Sequence, residues 1–531
     1  MIINPYIYGV ATSYDPDAQL FFNAQTAAGV TLTTTQMNAV NQWVVDAKAA
    51  NIWTKFKAIY PVVGGTATSH KFNLKNPLDT DAAFRLLFTG GFTHSSTGVL
   101  PNGVNAYAST FLIPTTSLSA NSSHVSIYNR TVGSGTINDW GTSGGGLAFG
   151  AAISLGGTAY LDCYNSSTNR ISTPNADARG FYISSRNSST SLKLFKNAAQ
   201  LGTTNVNASV GVAGLTADIK LFSYNPVQNL SNRECAFASL GDGLTDLESQ
   251  LFYQITEKYQ VALSRNINTT QSFYYNSAYN NETNAFLFST QITDNTIQTA
   301  TNTLVTDLKT AGVFTKMKAL YPMVGGTATT CKFNLVNPQD TDAAFRLNFV
   351  GGWTPSATGM TPNGTNAYAN TFLSSGNNLS LNSGHLSYYS RSNNVSAAIK
   401  IDMGSLKTTP DSYTDLVLGS SNLIYFRFNN GATYNSTPAT NTLGYFIGSR
   451  TTAAVIKTFK DGVIVINGTA VSSSTSLTPF FIGASNNNGT AAYYSNNQCA
   501  LSSIGDGLTD AEALATRTAV QNFQTTLGRQ V

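Results

Sequence analysis

The chain has 531 residues, too many for one compact core, so at least two domains are expected. Only 11% of the residues are charged while 11% are aromatic, a balance that excludes an intrinsically disordered chain. Net charge is +4 with no long Lys/Arg run, which argues against an electrostatic nucleic-acid binder. No stretch reaches the ~18 continuous apolar residues of a membrane-spanning helix.

Taken in chain order, the opening Met1–Tyr8 has neither a basic segment nor a sustained apolar run and does not read as a secretory signal. Met37, Val40, Trp43, Val44, Ala47 and Ala50 then recur at helical spacing after a threonine-rich start, predicting a capped helix with one core-facing stripe. Short strands follow. Phe84, Leu86 and Phe88 alternate with Arg85, Leu87 and Thr89 up to Gly90-Gly91, and Pro101-Asn102-Gly103 is a turn tripeptide. A further strand is expected over Gly180–Arg186, then a weak turn signal at Asn197-Ala198. Thr245-Asp246-Leu247-Glu248 fits a helix capping box, with Leu251, Phe252 and Ile255 as the face of a closing helix. Ser264–Thr270 is polar and suits a linker.

After that linker the sequence begins again. Thr66–Leu74 reappears as Thr327–Leu335, Asp79–Leu86 as Asp340–Leu347, and Gly241–Asp246 as Gly505–Asp510. The spacing between matched positions grows along the chain, which marks a net insertion in the middle of the second copy. Ile297, Ala300, Leu304, Leu308 and Ala311 repeat the helical stripe, and Lys460-Asp461-Gly462-Val463 carries an Asp-Gly hairpin signal. The expected domains are therefore 1–263 and 264–531, each a helix, a run of short strands and a closing capped helix.

The order of these elements resembles the LamG-like, concanavalin-type jelly roll. Asn363–Ala369 is similar to that family's opening strand, His385–Arg391 to its inner strand, and Thr458–Val463 to its hairpin. Phe480–Gly483 and Ile504–Glu512 complete the series, and the first copy repeats it over 102–248. The resemblance implies a mainly β protein of two tandem β-sandwich units. Glucanases of that superfamily carry an E-x-D-x-x-E strand pattern, which neither copy contains. The leading helix, the Tyr60–Gly65 segment and the pairing of units also resemble modules of tailed-phage virion proteins.

Residues present in both copies are the fair candidates for a shared chemistry. His124 and His385 correspond, whereas His70 faces Cys331 and His94 faces Pro355. Cys235 and Cys499 correspond but each stands alone, and four cysteines are too few for a disulfide scaffold, so buried thiols are expected. Asp242, Asp246 and Glu248, with Asp506, Asp510 and Glu512, offer carboxylates for glycosidic acid/base work but read as helix caps. Asp79 and Asp81, like Asp340 and Asp342, lack the third acidic position of a calcium loop and are expected to pair with Arg85 and Arg346. For glycan contact the candidates are Trp140, in a glycine-rich stretch, and Tyr493 and Tyr494, between asparagine runs.

These readings predict a non-enzymatic structural protein of a tailed-phage virion, as head decoration, fibre or tail component, with weak glycan binding. The alternative is a secreted or surface protein that binds or degrades polysaccharide. No cofactor and no metal is expected. Expected partners are other virion proteins, further copies of the chain and a host-surface glycan. The predicted location is the virion, assembled in the host cytoplasm and released by lysis.

Overall fold

A computed structural model describes residues 13–133, 135, 137–165, 169–408 and 411–531, and the Met1–Tyr8 stretch lies outside them. The chain divides into two units, Met1–Ser277 and Ala278–Val531, each mainly β. In the first unit, helices Pro16–Ala27 and Thr34–Ala49 precede the strands, the second of them entered through a Thr33/Gln36 capping box. The stripe read from the sequence is its buried face: Val40, Trp43, Val44 and Ala47 are all in the core. The earlier helix was not anticipated, although Asp15 caps it and Pro16 occupies its first turn.

One sheet of the first unit places Cys235–Gly241 beside Ser123–Asn129, followed by Gly180–Ser188 and Ser191–Lys196. The other runs Ile171–Pro174, Thr158–Asn165, Leu147–Leu155 and Trp140–Gly144, then Lys220–Leu221, Tyr107–Ser109 and Leu87–Thr89. All of these pairings are antiparallel. Val125, Ile127, Leu194 and Leu240 from the first sheet meet Phe149, Ile153, Leu161 and Leu221 from the second, so the core lies between the sheets. The first sheet's outer face is covered by helices. Trp43 packs 5.4 Å from Phe237, and Phe252, on helix Asp246–Ala262, packs 5.0 Å from Phe181. That layering puts helices on the first sheet and leaves the second sheet's outer face to be covered by loops.

The second unit repeats the plan. Helices Asn281–Thr290 and Asn295–Thr310 open it and Asp510–Thr526 closes it. Cys499–Gly505 pairs with Gly384–Ser390, and the facing sheet carries Met403–Thr408, Asp411–Ser420 and Leu423–Asn430. Both closing helices start with the expected capping boxes, Thr245/Glu248 and Thr509/Glu512.

Two expectations need correction. Phe84 does not begin a strand, and its counterpart Phe345 behaves alike. Each follows a 3-10 turn in left-handed conformation, φ +57° and +60°, and only Leu87–Thr89 and Asn348–Val350 are extended. The division between units falls at Ser277/Ala278 and not at 263/264, because the expected linker is tied into the first unit. Arg265 is buried there, donating to Val62 O at 2.7 Å, Pro61 O at 2.9 Å and Ala236 O at 2.8 Å. Arg529 makes the same clasp in the second unit, to Met323 O, Pro322 O and Ala500 O. A planar guanidinium with five donors suits such a cluster of carbonyls, whereas a lysine has neither the reach nor the fork.

Candidate functional site

Strand Thr158–Asn165 alternates as far as Cys163. Ala159, Leu161 and Cys163 point into the core, which places Tyr160 and Asp162 on the outer face of the second sheet. Arg170 reaches Asp162 in a two-bond fork, Nε to Oδ1 at 3.1 Å and Nη2 to Oδ2 at 2.7 Å. The same guanidinium lies 5.5 Å from the Tyr160 ring. Burial pushes the Asp162 carboxyl above its ordinary value, and the Arg170 contact opposes that shift.

Tyr224 comes from the loop after Lys220–Leu221 and lies against the sheet over two glycines. A Cβ on Gly141 or Gly150 would stand 2.4 Å from its ring, so both positions require glycine for the tyrosine to seat. Together these groups enclose a pocket of about 320 Å³ lined by Asn138, Tyr160, Asp162, Arg170, Tyr224 and Gln228. It offers two aromatic rings, side-chain amides and an ion pair whose charges cancel. Such a lining suits a hydroxyl-rich ligand: rings pack against the C–H faces of a sugar while amides and the guanidinium fork meet its hydroxyls.

The glycan candidates chosen from the sequence fare unevenly. Trp140 is 1% exposed and packs edge-on against Phe149 in the core, so it cannot stack on a ligand from solution. Its strand position points inward while its neighbour Gly141 faces out under Tyr224. Tyr493 is exposed, but its backbone is left-handed, φ +58°, and its carbonyl accepts from Ile401 N. Tyr494 is half-buried, with its hydroxyl turned back onto Ala491 O at 3.0 Å. Both lie in the second unit beside hairpin Ser485–Asn487/Thr490–Ala492, outside the first unit's pocket. Sequence reasoning missed Tyr160, Asp162, Arg170 and Tyr224; the outward glycines at 141 and 150 were the available signal.

The remaining candidates have structural employment. His124 is fully buried, with Nδ1 donating to Asp242 O at 2.6 Å and Nε2 next to Ser239 Oγ at 3.1 Å. His385 repeats this with Asp506 O and Ser503, and burial pushes both imidazoles down to about 4. Asp79 pairs with Lys71 at 2.5 Å and Arg85 at 3.0 Å, Asp81 with Arg85 at 2.9 Å. Asp340 and Asp342 do the same with Lys332 and Arg346. Asp246 and Asp510 are held by Lys193 and Lys457 at the starts of the closing helices, and Lys57 and Lys318 face Asp242 and Asp506. The four cysteines are buried free thiols. His70 and His94, unmatched in the second copy, lie together with Nδ1 atoms 3.0 Å apart.

No protein-family model matches the sequence, and no curated protein matches it. Solved structures do. Domain 4 of AbnA, a GH43 extracellular arabinanase from Geobacillus stearothermophilus in complex with arabinotriose, is 12% identical over 38% of this chain and 98% of that one, with a TM-score of 0.24. The receptor-binding domain of a botulinum neurotoxin C/D mosaic serotype is 11% identical over 39% of this chain and 51% of that one, TM-score 0.26. A Trypanosoma rangeli sialidase in complex with 2,3-difluorosialic acid is 9% identical over 69% and 61%, TM-score 0.32. The chain thus spans about half of the neurotoxin domain and less than two thirds of the sialidase. At these scores no property of those proteins transfers to this chain, and its sandwich architecture stands on the strand pairing described above.

Proposed function

We propose that this chain is a non-enzymatic carbohydrate-binding protein whose first unit takes a saccharide into the pocket of Tyr160, Arg170 and Tyr224. The observation that carries the reading is the convergence of two tyrosines, side-chain amides and a neutralised Arg–Asp fork on one pocket of the second sheet's outer face. Glycoside hydrolysis by the usual route needs two carboxyl groups flanking the bond. Among the described residues lining this pocket the only acid is Asp162, and Arg170 occupies both its oxygens. That supports binding without cleavage.

The setting we propose is the surface of a phage particle, with other virion proteins and further copies of the chain as neighbours. The sparse charge and the tandem duplication support display by packing rather than by electrostatic attachment. A glycan array probed with the full chain and with Tyr224→Ala tests the binding. The wild type is expected to mark neutral glycans, and the variant, its fold checked by circular dichroism, to lose about tenfold or more in affinity. A wild type that marks no glycan, or a variant that binds as well as the wild type, overturns the reading.

A further inference from the structure

We infer that the second unit carries its own saccharide site on the same sheet face, making the chain bivalent for uncharged saccharides. The inference rests on the reading of the first unit's pocket and extends it to residues with no sequence match.

The structural register fixes the correspondence. Strands Thr158–Asn165 and Leu423–Asn430 end alike: Cys163 N donates to Asn165 Oδ1 at 3.0 Å and Phe428 N to Asn430 Oδ1 at 2.7 Å. Tyr164 and Asn429 are both left-handed, φ +58° and +52°. This alignment sets Tyr425 where Tyr160 stands and Arg427 where Asp162 stands. Across the ladder, Gly150 faces Asp162 and Asp415 faces Arg427. In the second unit the arginine thus holds the strand position of Asp162 and its carboxylate comes from the facing strand, whereas Arg170 of the first unit lies in the stretch just before strand Ile171–Pro174. Arg427 donates Nε to Asp415 Oδ1 at 2.9 Å and Nη2 to Oδ2.

Tyrosines again surround the guanidinium. Its carbon is 4.6 Å from the Tyr413 ring and 5.6 Å from those of Tyr425 and Tyr434. Tyr434 stacks on Tyr425 at 4.4 Å and is 46% exposed, so an aromatic surface stays in water beside the pair. Tyr425 belongs to an apolar cluster separate from the sandwich core, which confirms that this is the outer face.

Stability alone does not call for such a pair. A buried ion pair returns little over apolar residues of similar volume, because desolvating both charges offsets their attraction. Each copy nevertheless places an Arg–Asp pair at this spot against tyrosines, buried in the second unit and with a part-exposed arginine in the first. What the two units share is a neutralised guanidinium beside aromatic rings, with Tyr434 as the ring open to a ligand in the second. In both units a carboxylate neutralises the guanidinium, so neither site offers net charge to an acidic sugar. The shared ligand class is an uncharged saccharide.

Isothermal titration of the full chain with cellohexaose, maltohexaose, xylohexaose and mannohexaose, and with hexagalacturonate as the charged probe, tests this. At least one neutral hexasaccharide is expected to bind at two sites per chain, with hexagalacturonate no tighter. Tyr224→Ala and Tyr434→Ala should each leave one site, the double variant none, and Tyr434→Phe both. Tyr434 is exposed, so unchanged melting of its variants separates lost binding from lost folding. One site in the wild type, abolished by Tyr224→Ala and untouched by Tyr434→Ala, overturns the second site and leaves the first-unit reading standing. Two sites that survive Tyr434→Ala also overturn it. Tighter binding of hexagalacturonate overturns the ligand class, and absence of binding by the wild type overturns both readings.

Discussion

Glu257 and Gln521 occupy the same post in the two units, and the duplication makes each the control for the other. The Tyr128 hydroxyl donates to Glu257 Oε2 at 2.9 Å and the Tyr389 hydroxyl to Gln521 Oε1 at 3.3 Å. Both hydroxyls also accept a backbone N–H at 3.0 Å, from Ile267 and Val531. Burial pushes the Glu257 carboxyl from 4.5 up to about 7. The folded chain therefore holds a proton that the unfolded chain has released, and this contribution to stability is full below pH 4.5 and lost as pH rises through about 7. Glu257→Gln should raise first-unit stability at pH 8 by up to about 3 kcal/mol and remove that part of the pH slope in urea unfolding. An unchanged slope would contradict the assignment.

The histidine pair acts in the opposite direction. Gly65 N–H donates to His70 Nε2 at 3.2 Å, so the His70 proton sits on Nδ1 and points at His94 Nδ1. A second proton between the rings would set two donors head to head. Burial, with the His94 and Arg265 charges, pushes His70 down to about 3. Its contribution is present above pH 6.5 and is lost as pH falls toward 3. His70→Cys, which installs the second unit's residue, should remove this acid sensitivity; a variant that still loses stability below pH 6.5 would assign it elsewhere.

Elements show the same logic of matched pairs. The hairpin at Asp461-Gly462 has φ +50° and +84°, a turn that glycine makes without strain. The first unit closes the same turn with Asn197-Ala198 at φ +49° and +70°. Ala198→Gly should therefore stabilise the first unit by about 1 kcal/mol, since alanine carries a Cβ into the left-handed region. A destabilised variant would refute the strain. Thr245→Ala and Thr509→Ala should each cost about 1 kcal/mol through loss of the cap, measured by thermal unfolding.

The helices with a strong stripe, the capping boxes and the Asp-Gly turn were legible because each is a local signal. Helices Pro16–Ala27 and Asn281–Thr290 were not read, although the buried Ala18, Phe21, Phe22 and Gln25 of the first do fall on one helical face; that face is four residues long and one of them is polar, so its signal is short. The Phe84 alternation misled because its backbone turns left-handed just before the strand. The pocket was illegible for a different reason. Tyr160 and Asp162 share one strand and Arg170 follows it, but Tyr224 comes from the loop after Lys220–Leu221, far along the chain, and only the tertiary fold seats it beside them.

At the scale of the whole molecule, each unit is a sandwich with helices on one sheet and an ion pair with tyrosines on the outer face of the other. A pocket whose charges cancel internally should bind with little response to ionic strength. Affinity is expected to change less than about threefold between 50 and 500 mM salt, because no unpaired charge is available for screening. A fall of an order of magnitude or more would indicate a charged ligand. The most direct test of the account is a crystal structure of the chain with a bound neutral oligosaccharide. The account predicts a sugar ring against Tyr160 or Tyr224 within hydrogen-bonding reach of Arg170; a sugar bound away from both outer faces would contradict it.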